Sequence, residues 1–223
     1  MAEYYMEELQ SFLRQLAANN NREWFAANRE RYDRLRQLWL ADIDRLIAAM
    51  AEWEPAAAGH SAKDVTFRIY RDTRFSPDKT PFKTYFSSAP GPFGKHTDRA
   101  GYYLEMGVDD RCGLYGGLWC PEPAMLKKIR RAIVDNIEEF ESIITHPDFV
   151  GLFPGWCGQQ LKTVPKGWDR NHPQAYLLRM KDYGRVSHVG NEYFLDPSWP
   201  EITAERFRAL KSFVDFLNYT IDE

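Results

Sequence analysis

Cysteine is scarce in this chain. Cys112, Cys120 and Cys157 are odd in number and show no Cys-x-x-Cys spacing, so neither a disulfide framework nor a cysteine-built zinc site is expected. The five histidines, His60, His96, His146, His172 and His188, are scattered without pairwise spacing, which gives no histidine metal site and no metal expectation. There is no Gly-x-Gly-x-x-Gly, no glycine loop followed by Lys-Ser/Thr and no Gly-x-Ser-x-Gly, so dinucleotide, P-loop and serine-hydrolase signatures are missing. No run approaches the roughly 20 apolar residues of a membrane span. The start, Met1-Ala2-Glu3-Tyr4, lacks a basic region followed by an apolar stretch, so the expectation is a soluble cytoplasmic protein without a secretory leader or membrane partner. An excess of basic charge is absent too. Lys and Arg number 29 against 32 Asp and Glu, a net charge of -3. That balance disfavours general coating of nucleic acid, although it leaves a local basic groove possible.

What is present is a soluble composition of 223 residues, 44% hydrophobic and 27% charged, enough for one domain with a sizeable core. Aromatics reach 15%, with seven tryptophans and twelve tyrosines, and core packing accounts for them more readily than a stacking surface.

The basic charge is concentrated rather than spread. Between Arg68 and Lys83 lie five cations (Arg68, Arg71, Arg74, Lys79 and Lys83) and two carboxylates, Asp72 and Asp78, a local surplus of three in a chain that is acidic overall. Val65, Phe67 and Ile69 alternate with Thr66, Arg68 and Tyr70; Phe82, Thr84 and Phe86 alternate with Lys83, Tyr85 and Ser87. Both patterns have the period of a half-buried strand. With Ser76-Pro77-Asp78 between them, they predict a hairpin with an eight-residue loop, Thr73 to Thr80. Its apolar face would carry Phe67, Ile69, Phe82 and Phe86, and its other face Arg68, Tyr70, Lys83 and Tyr85. Arginine suits bidentate contact with carboxylate or phosphate, so this face, rimmed by Arg71, Arg74 and Lys79, could hold an anion. The competing expectation is that Asp72 and Asp78 pair with Arg71, Arg74 and Lys79 and only pin the loop.

Around this stretch the chain alternates helical and extended patterns. A helix over 4–18, a second helix capped by Asn20 or Asn21 and running to about Trp53, strands around Tyr102–Met106 and Arg111–Trp119 joined by an Asp109-Asp110 turn, and a helix opened by Pro121 are expected. Further on come a turn at 147–152, strand character at 160–164 and 186–194, a helix opened by Pro173, and a closing helix from Pro200 to Ile221. Gly113, Gly116 and Gly117 mark a close approach by either a ligand or a packed helix. The 89–98 connection, rich in Pro and Gly, is either a lid or an ordinary loop. Lys162, Lys166, Arg170, Arg179 and Lys181 form a second basic group, and His172 stands at a helix start, where backbone amides favour anions. The expected class is α+β in a single domain, 1–223: a mainly antiparallel sheet with a hairpin core, covered by several amphipathic helices.

The motif Arg68-x-Tyr70-Arg71-Asp72-x-Arg74-Phe75-x-x-Asp78-Lys79-x-Pro81-Phe82-Lys83 resembles the signature of the DUF2461 family of conserved bacterial and fungal proteins of unknown function. Asn19-Asn20-x-Arg22-Glu23-Trp24-Phe25, Gly116-Gly117 with Trp119 and Pro121, Leu161-Lys162-x-x-Pro165-Lys166-Gly167-Trp168 and His172-Pro173 extend the resemblance over nearly the whole chain. Phe82 stands where the family commonly has tyrosine, and Trp168 where it has tyrosine or phenylalanine. The resemblance implies a domain extent but no activity, cofactor or substrate.

Three functions are therefore open. The first is a clamp for a phosphorylated or carboxylated small molecule, built by Arg68, Tyr70, Arg71, Arg74, Lys79 and Lys83, with Lys162 and His172 folding over to complete the site. A metal-dependent phosphoesterase or nuclease would need Asp72, Asp78 and Glu105 to converge, but no Glu-x-Lys or Asp-x-Lys follows Pro77-Asp78 on a matching strand. A structural or interaction domain would use the charged motif only as a loop pin.

Overall fold

A computed structural model describes residues 4–109 and 111–223. The opening Met1-Ala2-Glu3 and the Asp110 half of the expected Asp109-Asp110 turn lie outside the described residues. Among the described residues the order is α1 (Met6–Ala18), α2 (Arg22–Ala27), α3 (Arg29–Met50), a 3-10 turn (Pro55–Gly59), α4 (Ala62–Val65), β1 (Tyr85–Ser88), β2 (Gly101–Gly107), β3 (Cys112–Leu118), α5 (Pro123–Asp135), α6 (Ile137–Ile144), α7 (Pro147–Leu152), β4 (Gly155–Cys157), α8 (Ala175–Leu178), β5 (Tyr183–His188), a second 3-10 turn (Asn191–Leu195), α9 (Trp199–Arg208) and α10 (Lys211–Asp222). The strands form one antiparallel sheet in the order β1-β2-β3-β5-β4, so the class is α+β, as the sequence predicts. No helix among the described residues is long and apolar enough to cross a membrane.

Local chemistry explains where element boundaries differ from the sequence pattern. The expected helix to Trp53 breaks at Asn28, which leaves helical geometry while its Nδ2 donates to the Trp24 carbonyl at 2.9 Å. Asn136 splits the helix expected from Pro121 in the same way, donating to the Ala132 carbonyl at 3.0 Å. That helix also starts at Pro123 rather than Pro121. The closing helix is interrupted between Arg208 and Lys211. The strand expected from Val65 is not regular: Asp64 accepts from the Ser61 N–H (2.9 Å) and Oγ (2.6 Å), and this cap draws 62–65 into a helical turn. The expected strand at 160–164 is reduced to one Gln160–Met180 bridge, the strand lying instead at β4. The one expected at 186–194 starts earlier, at Tyr183, and gives way to a 3-10 turn.

The chain divides into two compact units, Met1–Lys95 with Tyr103–Leu114 and His188–Glu205, and His96–Tyr102 with Tyr115–Ser187 and Arg206–Glu223. In the first, apolar residues of α1 and α3 at helical spacing are buried, among them Leu9, Phe12, Leu13, Leu16, Leu35 and Ile43. Trp39 stacks on Trp199 at 5.4 Å and meets Phe86 of β1 edge-on at 5.7 Å. Its indole N–H donates to the buried Ser88 Oγ at 3.2 Å, which also bonds Thr66 Oγ1 at 2.9 Å. Thus α3 is fixed both to β1 and to the chain that enters the basic segment.

In the second unit Phe140, Phe149, Phe207, Phe213 and Leu217 are fully or almost fully buried. The glycines of β3 are explained by packing: a side chain at Gly116 would run into Leu210, and one at Gly117 (φ 124°) into the Tyr183 carbonyl of the neighbouring strand. Asp182, also buried, accepts from the amides of Cys120 at 2.7 Å and Gln159 at 3.0 Å, tying together the chain ends that leave β3 and β4.

Candidate functional site

The basic segment lies in the first unit as an irregular antiparallel ribbon. The Phe67 N–H bonds the Ser87 carbonyl (3.0 Å), the Lys83 N–H the Ile69 carbonyl (2.7 Å) and the Arg71 N–H the Pro81 carbonyl (2.9 Å). The expected facing is kept only in part: Ile69, Phe82 and Phe86 are buried and Arg68 and Tyr70 exposed. Tyr70, however, pairs opposite Phe82 with the rings 5.3 Å apart, and Phe67, expected on the apolar face, is half-buried beside Lys83. The antiparallel pairing of the irregular ribbon sets these residues on shared faces. The ribbon is fastened by the Asn20–Phe25 motif. Asn20 exchanges two hydrogen bonds with the Phe82 backbone, and Phe25 stacks on the Phe82 ring at 4.0 Å. Asn21, not Asn20, is the cap of α2, accepting from the Trp24 N–H at 2.9 Å. Asn20 is thus free to act as a mimic of a strand edge.

Three of the five cations are occupied by the loop itself. The Arg71 guanidinium bonds Asp78 and the Thr80 hydroxyl. Arg74 makes a forked contact with Asp72, at 3.0 Å from Nε and 2.6 Å from Nη2. Lys79 donates to the Thr73 carbonyl at 2.8 Å. These partners, with the Arg74 and Thr80 amides, hold the Asp72 and Asp78 carboxyls down at about 2. Exposed pairs of this kind add little stability; here they give the 71–80 loop its shape.

Arg68 and Lys83 are different. Among the described residues neither side chain makes a hydrogen bond or an ion pair. Lys83 is half-buried, its ammonium 5.2 Å from the Phe67 ring centroid and 5.6 Å from that of Tyr85. Burial lowers its pKa first, and the positive fields of Arg68 and Arg111 lower it further against an opposing pull from Glu105. Arg111, which entered the sequence reading only as a strand residue, lies over the Tyr85 ring at 4.1 Å, and its Nε reaches Glu105 at 3.5 Å. The register of β1 on β2 places Tyr85 opposite Gly107. A Cβ at Gly107 would stand 2.9 Å from the Tyr85 Cβ and 3.0 Å from the Arg111 carbonyl. The missing side chain is what lets these two residues come together.

Lys83 and Arg111 open on a cleft of about 590 Å³, shared with Asn20, Arg71, Thr80 and Tyr85 and with the Asp72 and Asp78 carboxylates, which are held by Arg74 and Arg71. Arg68, Arg74 and Lys79 do not line it. Tyr70 lines a second concavity, of about 470 Å³, with Arg22, Arg29 and Arg71, and its hydroxyl accepts from Arg29 at 3.2 Å. Lys162 and His172 belong to the second unit. Lys162 is exposed; the His172 ring accepts from the Gln174 N–H at 3.2 Å and meets Trp168 edge-on at 5.4 Å, so its contacts shape its own turn.

The carboxylates weighed for metal chemistry are each engaged: Asp72 by Arg74, Asp78 by Arg71, and Glu105 by Arg111 and by the Tyr103 hydroxyl at 3.0 Å. Among the described residues no group of three or more His, Cys, Asp or Glu is arranged to hold a metal ion. The 89–98 connection is anchored rather than loose up to Lys95, whose ammonium donates to the carbonyls of Lys63 (3.1 Å) and Thr66 (2.7 Å).

Over residues 8–216 the chain matches a family described as conserved hypothetical protein, DUF2461. No curated protein and no solved structure matches it.

Proposed function

The chain belongs to the DUF2461 family, and from its basic cleft we propose that it binds a small phosphorylated or carboxylated ligand through Lys83 and Arg111, with Arg68 adding to the positive field. The observation that carries this is the half-buried Lys83 ammonium, which has no hydrogen-bonding partner among the described residues and is crowded by two like charges. A buried or half-buried charge in that state costs free energy, and an anion in the cleft would relieve it. Arg111 supplies a planar fork for carboxylate or phosphate. The ribbon, the self-bonded loop and the Asn20 clasp hold these groups before a ligand arrives, which lowers the entropic cost of binding.

The five-cation clamp narrows on this reading, because Arg71, Arg74 and Lys79 are spent on the loop. The engaged Asp72, Asp78 and Glu105 give the metal-dependent phosphoesterase no support. A thermal-shift titration with inorganic phosphate and a panel of mono- and dicarboxylates tests the proposal. Stabilisation by at least one anion, abolished by Lys83→Met and weakened by Arg111→Met, is expected. An unchanged melting temperature across the panel, or full responses in both variants, would overturn it.

A further inference from the structure

The lysines near the cleft differ in how they are held. Lys79 and Lys95 both donate to backbone carbonyls. Lys83 lies between two aromatic rings instead, and among the described residues it meets no acceptor. Two guanidiniums act on it with like charge, Arg68 on its own ribbon and Arg111 just before β3. The one carboxylate that acts on it, Glu105, is already engaged by Arg111 and Tyr103. An ammonium so placed gives up its proton more readily than one in water, and the neutral amine is a nucleophile. Arg111, in the same cleft, would hold a carboxylate beside it.

We propose that Lys83 is a nucleophilic amine that forms a reversible imine with the carbonyl group of a small anionic aldehyde or oxo acid held in the cleft. The Nζ lone pair attacks the carbonyl carbon, and the carbonyl π pair moves to oxygen, which takes a proton. The resulting carbinolamine then loses that oxygen as water while nitrogen gives up its remaining proton. Amine and carbonyl compound are thus converted to imine and water with no oxidant or reductant. This inference rests on the anion-binding reading of the same cleft and adds covalent chemistry to it. Arg111, which lines the cleft with Lys83, acts as the positioning group for the carboxylate.

The test uses the full chain with glyoxylate as probe, sodium cyanoborohydride to trap the imine, and peptide mapping by mass spectrometry. Lys83 is expected to be labelled several-fold faster than the exposed Lys63, because its half-buried ammonium beside two guanidiniums gives up its proton more readily. Excess inorganic phosphate should slow labelling of Lys83 and leave Lys63 unchanged, a control that needs no variant. Lys83→Arg, which keeps the charge but has no nucleophilic amine, should lose the label. Equal labelling of Lys83 and Lys63 in a protein that phosphate still stabilises would overturn the imine and leave the anion cleft standing. Loss of the phosphate response in the unlabelled wild-type protein would instead overturn the cleft itself.

Discussion

Asn20 and Phe82 exchange two hydrogen bonds across 62 positions of sequence: the amide Nδ2 donates to the Phe82 carbonyl at 3.0 Å, and the Phe82 N–H donates to Oδ1 at 3.1 Å. An asparagine side chain thus completes a strand edge and fixes the residue that precedes Lys83. Replacing Asn20 by Ala leaves both backbone groups short of partners and should destabilise by about 1–3 kcal/mol. Asn20→Asp keeps the acceptor, loses the donor and sets a carboxylate against the Phe82 carbonyl, so it should not restore stability. Denaturant midpoints of the two variants check this, and amide exchange at Phe82 and Lys83 should speed up in both.

Lys83→Met removes a half-buried charge crowded by Arg68 and Arg111. Without added anion the melting temperature should rise rather than fall, since the methylene stem is kept and the strained charge is gone. With phosphate the variant should gain much less than wild type, because one charge-assisted contact is worth about 1.5–3 kcal/mol. The lysine also gives a pH signature. Its folded-state pKa lies below the ordinary 10.5, so the unfolded chain holds more protons in the interval below that value, and stability rises with pH there as the folded amine discharges. Lys83→Met should flatten that rise in a series of thermal melts at alkaline pH.

Acid should loosen the 71–80 loop late. Asp72 and Asp78 are lowered from 3.8 to about 2 by bonds from Arg74, Thr80 and Arg71, so their contribution is complete above pH 3.8 and is lost as pH falls towards 2. NMR titration of the Arg74 and Thr80 amides, which donate to these carboxylates, should report midpoints near 2 rather than near 4. Asp78→Asn should remove the Thr80 transition and leave that of Arg74.

Two glycines in the second unit give opposite expectations. Gly117 has a φ of 124°, and a methyl group there would overlap the Tyr183 carbonyl of the next strand. Gly117→Ala should therefore cost at least about 2–3 kcal/mol, towards the upper range for a single substitution. Gly151, in α7, faces open space and has an ordinary backbone conformation. Gly151→Ala should be stabilising by up to about 1 kcal/mol through helix propensity. Chemical denaturation of the pair measures both.

Some of this was legible along the chain. Hydrophobic period gave the amphipathic helices and the strands around Tyr102 and Leu114, because a side chain's face follows from its spacing. The surplus of cations between Arg68 and Lys83 marked the segment, but alternation put Lys83 on the outward face, where the folded ribbon half-buries it beside Phe67. The helix breaks at Asn28 and Asn136 escaped notice because single polar side chains bonding back to the preceding turn decide them, and the apolar stripe continues across.

Composition and period thus fix that this chain makes an α+β body with one strongly basic segment. They cannot say which cations stay available, since that depends on partners far apart in sequence. Folding spends Arg71, Arg74 and Lys79 on the loop, brings Arg111 onto Tyr85 across Gly107, and leaves Lys83 between two rings. The physical reason is that charge is a property of residues, whereas its compensation is a property of distances, and only the folded chain sets those.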